Sequence, residues 1–292
     1  MLIERRSRIR GSEKNIVVLY HGDCSDGFGG AWAAWKKFGK KAEYIGLFRG
    51  NHYPSGLRGK ELYFIDFVYS PEITKELVGA NKKVIGLDHH VTGKASVGLM
   101  AEGSVYSENH SGAVVAWKYF HPKKKVPMLL RYVEDRDIWK WALPASKEIS
   151  AIMDTFTFDF RFWDKAAREF EKNSSRKKYV EHGRVLKKYQ DFLVKKLAGT
   201  AELVKLGKHK ILAVNASHEF ASELGHLLAV RRAPFGLVWS QDGIGTRVGL
   251  RSDGTVDVAK IAQKYGGGGH KAAAGFMIPA GKKIPWKPIK KR

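Results

Sequence analysis

The chain has 292 residues, 43% hydrophobic and 12% aromatic, a globular composition that excludes a disordered protein. Lys and Arg number 52 against 29 Asp and Glu, for a net charge of +23, so polyanions, nucleic acid first among them, are the expected partners. The single cysteine, Cys24, excludes an internal disulfide, and no apolar run approaches a membrane span; with no apolar h-region in the basic stretch Met1–Asn15, the cytoplasm is the expected compartment.

Ile16-Val17-Val18-Leu19-Tyr20 is a continuous β-branched run, as expected of a strand buried on both faces of a parallel sheet. It leads into His21-Gly22-Asp23-Cys24-Ser25-Asp26-Gly27-Phe28-Gly29-Gly30 and then a helix over 31–38. The glycines permit a tight strand-to-helix turn. Such a turn can hold phosphate, but neither the Walker spacing nor GxGxxG is present. The alternative is that His21, Asp23 and Asp26 are ligands clustered at a strand end. Residues 43–48 form a second predicted strand and 62–67 a third, interrupted near its end by Asp66. Ser70-Pro71 already supplies a helix start, which frees Asp66 from a capping role.

After a helix over 71–78, the run Val84-Ile85-Gly86-Leu87 ends in Asp88-His89-His90. Ligands of open α/β sheets bind at the carboxyl ends of strands, and carboxylate with imidazole suits a cation such as Mn²⁺ or Zn²⁺. Helices follow over 111–120 and from Pro127 to the acid-rich end Glu134-Asp135-Arg136-Asp137. Acids there oppose the helix dipole, so Arg136 and Lys140, or a metal, must neutralise them. Strands and helices alternate to about residue 140, which predicts a parallel sheet in an α/β fold.

The predicted organisation is a parallel-sheet domain over 1–150, a charged helical linker over 151–200, a smaller α/β domain over 201–281 and a basic tail over 282–292. In the smaller domain, strands are expected at 210–215, 235–240 and 246–251, with helices at 222–230 and 256–265. Gly266-Gly267-Gly268-Gly269-His270-Lys271 follows. Four consecutive glycines are entropically costly and suit a backbone-amide cradle for an anion at a helix N-terminus, with Arg251, His270 and Lys271 beside it.

Taken together, these motifs resemble the DHH phosphoesterase superfamily with its DHH-associated C-terminal domain, over roughly residues 15 to 280. Asp88-His89-His90 is similar to the name motif, the His21–Gly27 turn to the first motif, Asp66 to the second, Asp135-Arg136-Asp137 to the fourth, and Gly266–His270 to the glycine-rich substrate motif. The resemblance implies a two-domain hydrolase with two Mn²⁺, or Mg²⁺ in some members, and a smaller domain closing over the substrate. Its ligands would be His21, Asp23, Asp26, Asp66, Asp88, His89 and, from the fourth motif, Asp135 or else Asp137, with Asp66 bridging and His90 beside the scissile phosphate. Gly267, Gly268, Gly269, His270, Lys271 and Arg251 would hold substrate. One departure stands out: the first motif carries two aspartates one residue apart, and the position two before Asp26 is Cys24. Either Asp23 reaches the metal, or Cys24 takes the place, or that metal is weakly held. Buried free cysteines are more often small apolar fillers than ligands, which favours Asp23 or an unfilled position.

The expected activity is phosphodiester hydrolysis of short single-stranded oligonucleotides to 5′-mononucleotides, of the nano-RNase or exonuclease type. The alternatives are a phosphatase or phosphodiesterase for 3′-phosphoadenosine 5′-phosphate or a cyclic dinucleotide, and a non-catalytic nucleic-acid binder on a degenerate core. A homodimer is compatible with this reading, and no membrane partner is expected.

Overall fold

In strand β1 (Ile16–His21), Val18 joins one hydrophobic cluster while Val17 and Leu19 join another. Alternate side chains leave opposite faces of a strand, so a continuous apolar run implies a sheet covered on both sides. The computed structural model describes residues 13–22, 24–47 and 54–289. Asp23, Phe48, the pair Arg5-Arg6 and the last three residues of the basic tail lie outside them. The chain divides into two compact units, 1–187 and 188–292.

The first unit runs β1, α1 (Ser25–Phe38), β2 (Ala42–Leu47), β3 (Glu61–Ile65), α2 (Pro71–Ala80), β4 (Lys83–Asp88), α3 (Lys94–Val97) and β5 (Val105–Tyr106). Then follow α4 (Gly112–Phe120), α5 (Met128–Asp137), α6 (Ser146–Met153) and α7 (Phe160–Phe170), while α8 (Asn173–Ala198) crosses the boundary between the units. The sheet order is β2-β1-β3-β4-β5, all parallel. The chain steps from β1 to β2 on one side and returns to β3 on the other, so the direction of winding reverses between β1 and β3. Such a switch point opens a crevice at the carboxyl ends of the strands.

Helix α1 is buried without interruption from Asp26 to Ala34 because sheet and helices enclose it. Small residues allow this: a Cβ on Gly30 would lie 2.3 Å from Ile65 Cγ2, and one on Gly29 would lie 3.0 Å from Leu130 Cδ2 of α5. Trp32 stacks on Trp117 of α4, and Phe28 meets Trp163 of α7 edge to face. Each such fully buried side chain contributes about 1.5–3 kcal/mol, and together they hold the start of α1 against the strand ends. Residues 151–170, expected in the linker, belong to this first core through Met153, Trp163 and Phe170; the break between units falls later, inside α8.

The second unit continues β6 (Glu202–Leu206), β7 (His209–Asn215), α9 (Ala221–Arg231), β8 (Phe235–Gln241), β9 (Gly245–Ser252), α10 (Val258–Gln263), β10 (Gly268–Gly269), β11 (Ala273–Pro279) and β12 (Trp286–Pro288). Its seven strands are ordered β10-β11-β9-β8-β7-β6-β12, with only β7 and β8 parallel. Four of these strands, β6, β10, β11 and β12, were not expected from the sequence: β6 is half exposed, β10 is two glycines, β11 opens Ala-Ala-Gly and β12 is three residues long. No helix among the described residues is long and apolar enough to cross a membrane.

Candidate metal centre

Three strands of the first sheet end in polar residues at the switch point: His21 closes β1, Asp66 follows β3 and Asp88 closes β4. The amide of Asp66 still donates to Leu87 O (3.0 Å), but its backbone lies in the left-handed region, φ 63°. A non-glycine residue there is unusual and costs of order 1–3 kcal/mol, a strain that clusters at functional sites. Gly112, at the start of α4, fits against it: a Cβ there would sit 2.7 Å from Asp66 Cβ and 3.0 Å from Asp26 Oδ2.

Asp66 is the hub. Its Oδ2 lies 3.2 Å from Cys24 Sγ and 3.4 Å from His21 Nδ1, while its Oδ1 lies 3.1 Å from His89 Nε2 and 3.8 Å from His90 Nδ1. His89 Nε2 also faces Asp137 Oδ2 at 3.4 Å and Asp26 Oδ2 at 3.7 Å. Asp88 Oδ1 accepts from the amides of His89 (2.8 Å) and His90 (3.3 Å) and lies 2.9 Å from His90 Nδ1. Its Oδ2 is buried with no hydrogen-bond partner among the described residues, and Gly93 leaves room for it, since a Cβ there would come within 2.3 Å of that oxygen.

Asp26 binds two ways. Its oxygens accept from Gly112 N (2.7 Å) and Ala113 N (2.9 Å) at the amino end of α4, and Oδ2 also looks toward His89. Asp23 lies outside the described residues. Cys24, disfavoured as a ligand from sequence, is the half-buried N-cap of α1, with its sulfur accepting from Gly27 N (3.3 Å) and 3.3 Å from His21 Nδ1.

Asp135 does not join the cluster. Trp139 and Trp141 have positive φ and fold the chain back over the end of α5, so Ala142 N and Leu143 N donate to the Asp135 carboxylate at 2.9 and 3.1 Å. Asp137 instead lies beside the cluster, its Oδ2 facing His89. The helix geometry explains the choice: Asp137 is two turns beyond Leu130, whose side chain abuts α1, whereas Asp135 is rotated about 200° from Asp137. Glu134, also missed, accepts from Ser111 N (3.1 Å) and pairs with His110 Nδ1 (3.0 Å), anchoring the loop before α4. Arg136 pairs with Asp154, and its charge also favours ionised Asp137.

In the second unit the glycine run follows the carboxyl end of α10 and enters β10, paired antiparallel with β11. The predicted helix N-terminus is therefore replaced by a strand. The glycines are required by close backbone approach: a Cβ on Gly267 would lie 2.1 Å from Gly275 O, and Gly269 has φ 138°. His270 and Lys271 occupy the β10–β11 turn, where His270 N donates to Ala273 O (2.8 Å). Arg251 lies opposite Ala273 in the β9–β11 register and donates to Ser222 Oγ (2.8 Å). Arg251, Gly267, Gly268, Gly269, His270 and Lys271 thus share one end of this sheet.

Residues 204–285 match the family model described as the DHHA1 domain. An uncharacterized protein of Acanthamoeba polyphaga mimivirus is 30% identical over 298 aligned residues, covering 94% of this chain and 70% of that protein. Among solved structures, the DHH domain of a member of a family of ribosomal proteins aligns with TM-score 0.56 and 14% identity, covering 91% of this chain and 83% of that one. The chain carries a DHHA1 domain and shares the DHH fold. An exopolyphosphatase-related protein from Bacteroides fragilis also aligns, at TM-score 0.51 and 13% identity over 92% of this chain and 88% of its own.

DHH phosphoesterases are metal-dependent, and this donor set fits divalent cations. Three neighbouring groups have ligand atoms within 4.8 Å of one another: His21, Cys24 and Asp66; Asp66, Asp88, His89 and His90; and Asp26, His89 and Asp137. The electrostatics agree. Burial opposes the charge on His89, yet the Asp66 hydrogen bond and the charges of Asp137, Asp66 and Asp26 raise its pKa to about 10. Burial, then Asp137 and Asp66, push Asp26 well above the usual carboxylate range. Burial works against ionised Asp66 and Asp88 as well, but the histidines outweigh it, holding Asp66 well below the usual range and Asp88 below it. Burial and then Asp66 and Asp26 drive the Cys24 thiol upward. Carboxylates this crowded draw positive charge to their centre, and a thiolate is tolerable there only beside a cation.

Proposed function

We propose that this DHH protein is a metal-dependent phosphodiesterase that hydrolyses short single-stranded oligonucleotides to 5′-mononucleotides. The observation that carries the reading is Asp66, whose two oxygens face two different donor groups, as a carboxylate shared by two cations would. Divalent cations, Mn²⁺ or Mg²⁺ by expectation, supply an acidified water and offset charge on the phosphate when bound. His21, Asp26, Asp66, Asp88, His89 and Asp137 are the proposed holders. His90, oriented through Nδ1 by Asp88, is placed to donate to charge developing on the scissile phosphate. Arg251, His270 and Lys271 with the glycine turn are the proposed hold on a non-scissile phosphate or terminus of the substrate. The net charge of +23 suits a polyanionic substrate better than a small one.

The test is end-labelled RNA and DNA, from dinucleotides upward, incubated with Mn²⁺ or Mg²⁺ and resolved by length, beside Asp66→Asn and Asp88→Asn. Ladder-wise release of mononucleotides that either mutation abolishes, with the fold retained, supports the reading. Turnover of 3′-phosphoadenosine 5′-phosphate or cyclic dinucleotides alone moves the assignment to a small-molecule phosphoesterase. Metal-independent binding without turnover leaves a nucleic-acid binder.

A further inference from the structure

We propose that the thiolate of Cys24 is a metal ligand of this centre, which makes the position shared by His21, Cys24 and Asp66 selective for a softer cation such as Zn²⁺. The proposal rests on the metal-centre reading above and deepens it. Cys24 Sγ, His21 Nδ1 and Asp66 Oδ2 form a nearly equilateral triangle, with sides of 3.2, 3.3 and 3.4 Å. Ligand atoms about 2.0–2.3 Å from one ion, at angles between octahedral and tetrahedral, lie about 3.0–3.6 Å apart. The triangle therefore has the dimensions of one face of a coordination polyhedron.

The local backbone sets this up. Cys24 is the N-cap of α1, and Gly27 N donates to its sulfur at 3.3 Å, so the helix amino end favours negative charge on that atom. His21 approaches from the other side of the same turn, and Asp66 is held from β3 in its left-handed conformation. A cysteine serving only as apolar filler would be surrounded by carbon; this one touches a carboxylate oxygen, an imidazole nitrogen and an amide. On binding, the S–H bond gives way to a sulfur–metal bond, and the proton leaves to water. Thiolate selects Zn²⁺ over Mn²⁺ relative to carboxylate. The other donors, Asp88, His89, Asp26 and Asp137, remain oxygen and nitrogen, so the two positions differ in preference.

The test uses the full chain, stripped with a chelator and titrated with Co²⁺ as a spectroscopic stand-in for Zn²⁺. Because Cys24 is the only cysteine, a near-ultraviolet thiolate-to-Co²⁺ charge-transfer band has one source. The band is expected in the wild type and absent from Cys24→Ser and Cys24→Asp, both of which keep an N-cap acceptor for Gly27 N and so the fold, checked by circular dichroism. Cys24→Asp should also lower the Zn²⁺ over Mn²⁺ affinity ratio at least tenfold in competition titrations. Co²⁺ bound with visible d–d bands but no charge-transfer band, or a band that survives in Cys24→Ser, overturns the thiolate ligand while leaving the metal centre standing. Failure to bind Co²⁺, Zn²⁺ or Mn²⁺ at all overturns both.

Discussion

Gly27 is the tightest point of the turn between β1 and α1, and Gly27→Ala tests whether that turn sets the geometry of the centre. A Cβ there would lie 2.1 Å from the His21 carbonyl oxygen and 2.9 Å from its carbonyl carbon and Cβ, where ordinary contact begins near 3.4 Å. The obstacle is backbone, so no rotamer relieves it; β1 and α1 must part by about 1 Å. Overpacking of this kind costs about 1–3 kcal/mol of stability. The same movement separates His21 from Cys24 and Asp26, which α1 carries. A displacement near 1 Å costs on the order of 10²-fold in rate, or about 2.7 kcal/mol of transition-state stabilisation. The assay measures Mn²⁺-dependent kcat/KM on an oligonucleotide beside Tm and circular dichroism. A variant with wild-type kcat/KM and wild-type Tm would refute the reasoning, because the turn would then have absorbed the methyl without moving the site.

Asp137→Asn should cost most of the activity with Tm near wild type, since that carboxylate faces His89 and is 30% exposed; Asp135→Asn should cost about 1.5–3 kcal/mol of stability by losing an acceptor for Ala142 N or Leu143 N. If Asp135→Asn instead abolishes turnover at unchanged Tm, the fourth-motif assignment reverts to Asp135. Buried His121 donates from Nε2 to Ala33 O (2.9 Å), and burial, opposed by that hydrogen bond and helped by Lys124, Lys37 and Lys36, holds its pKa below the ordinary 6.5. The unfolded chain then takes up the proton first, so this contribution to stability is full above about 6.5 and declines as pH falls through 6.5 toward the folded value. Thermal melts between neutral and mildly acidic pH should show that decline in the wild type and less of it in His121→Gln; parallel curves contradict it. Finally, kcat/KM on longer oligonucleotides should fall with salt more steeply than on dinucleotides, because more counterions are released per complex. Equal slopes favour a small-molecule substrate.

The strands carrying the centre were legible in the sequence because parallel-sheet strands must be apolar on both faces. Runs such as Val17–Leu19, Leu62–Ile65 and Val84–Leu87 have no other economical fold, and a polar residue ending such a run must lie at a sheet edge. His21, Asp66, Asp88, His89 and His90 could be located on that ground, and the order of motifs located the family. Which of two neighbouring acids faces the centre was not legible. Asp135 and Asp137 differ only in rotation about α5, and the left-handed residues Trp139 and Trp141 that recruit Asp135 elsewhere leave no local signature. The glycine run misled for a related reason: glycine permits both a helix-end cradle and a strand in close backbone contact, and only its pairing with β11 decided between them. Cys24 is the clearest case. Composition and base rates make a lone cysteine a filler, whereas the chain crossing that brings Asp66 within 3.2 Å of its sulfur comes from 42 residues away, a distance over which only tertiary structure acts.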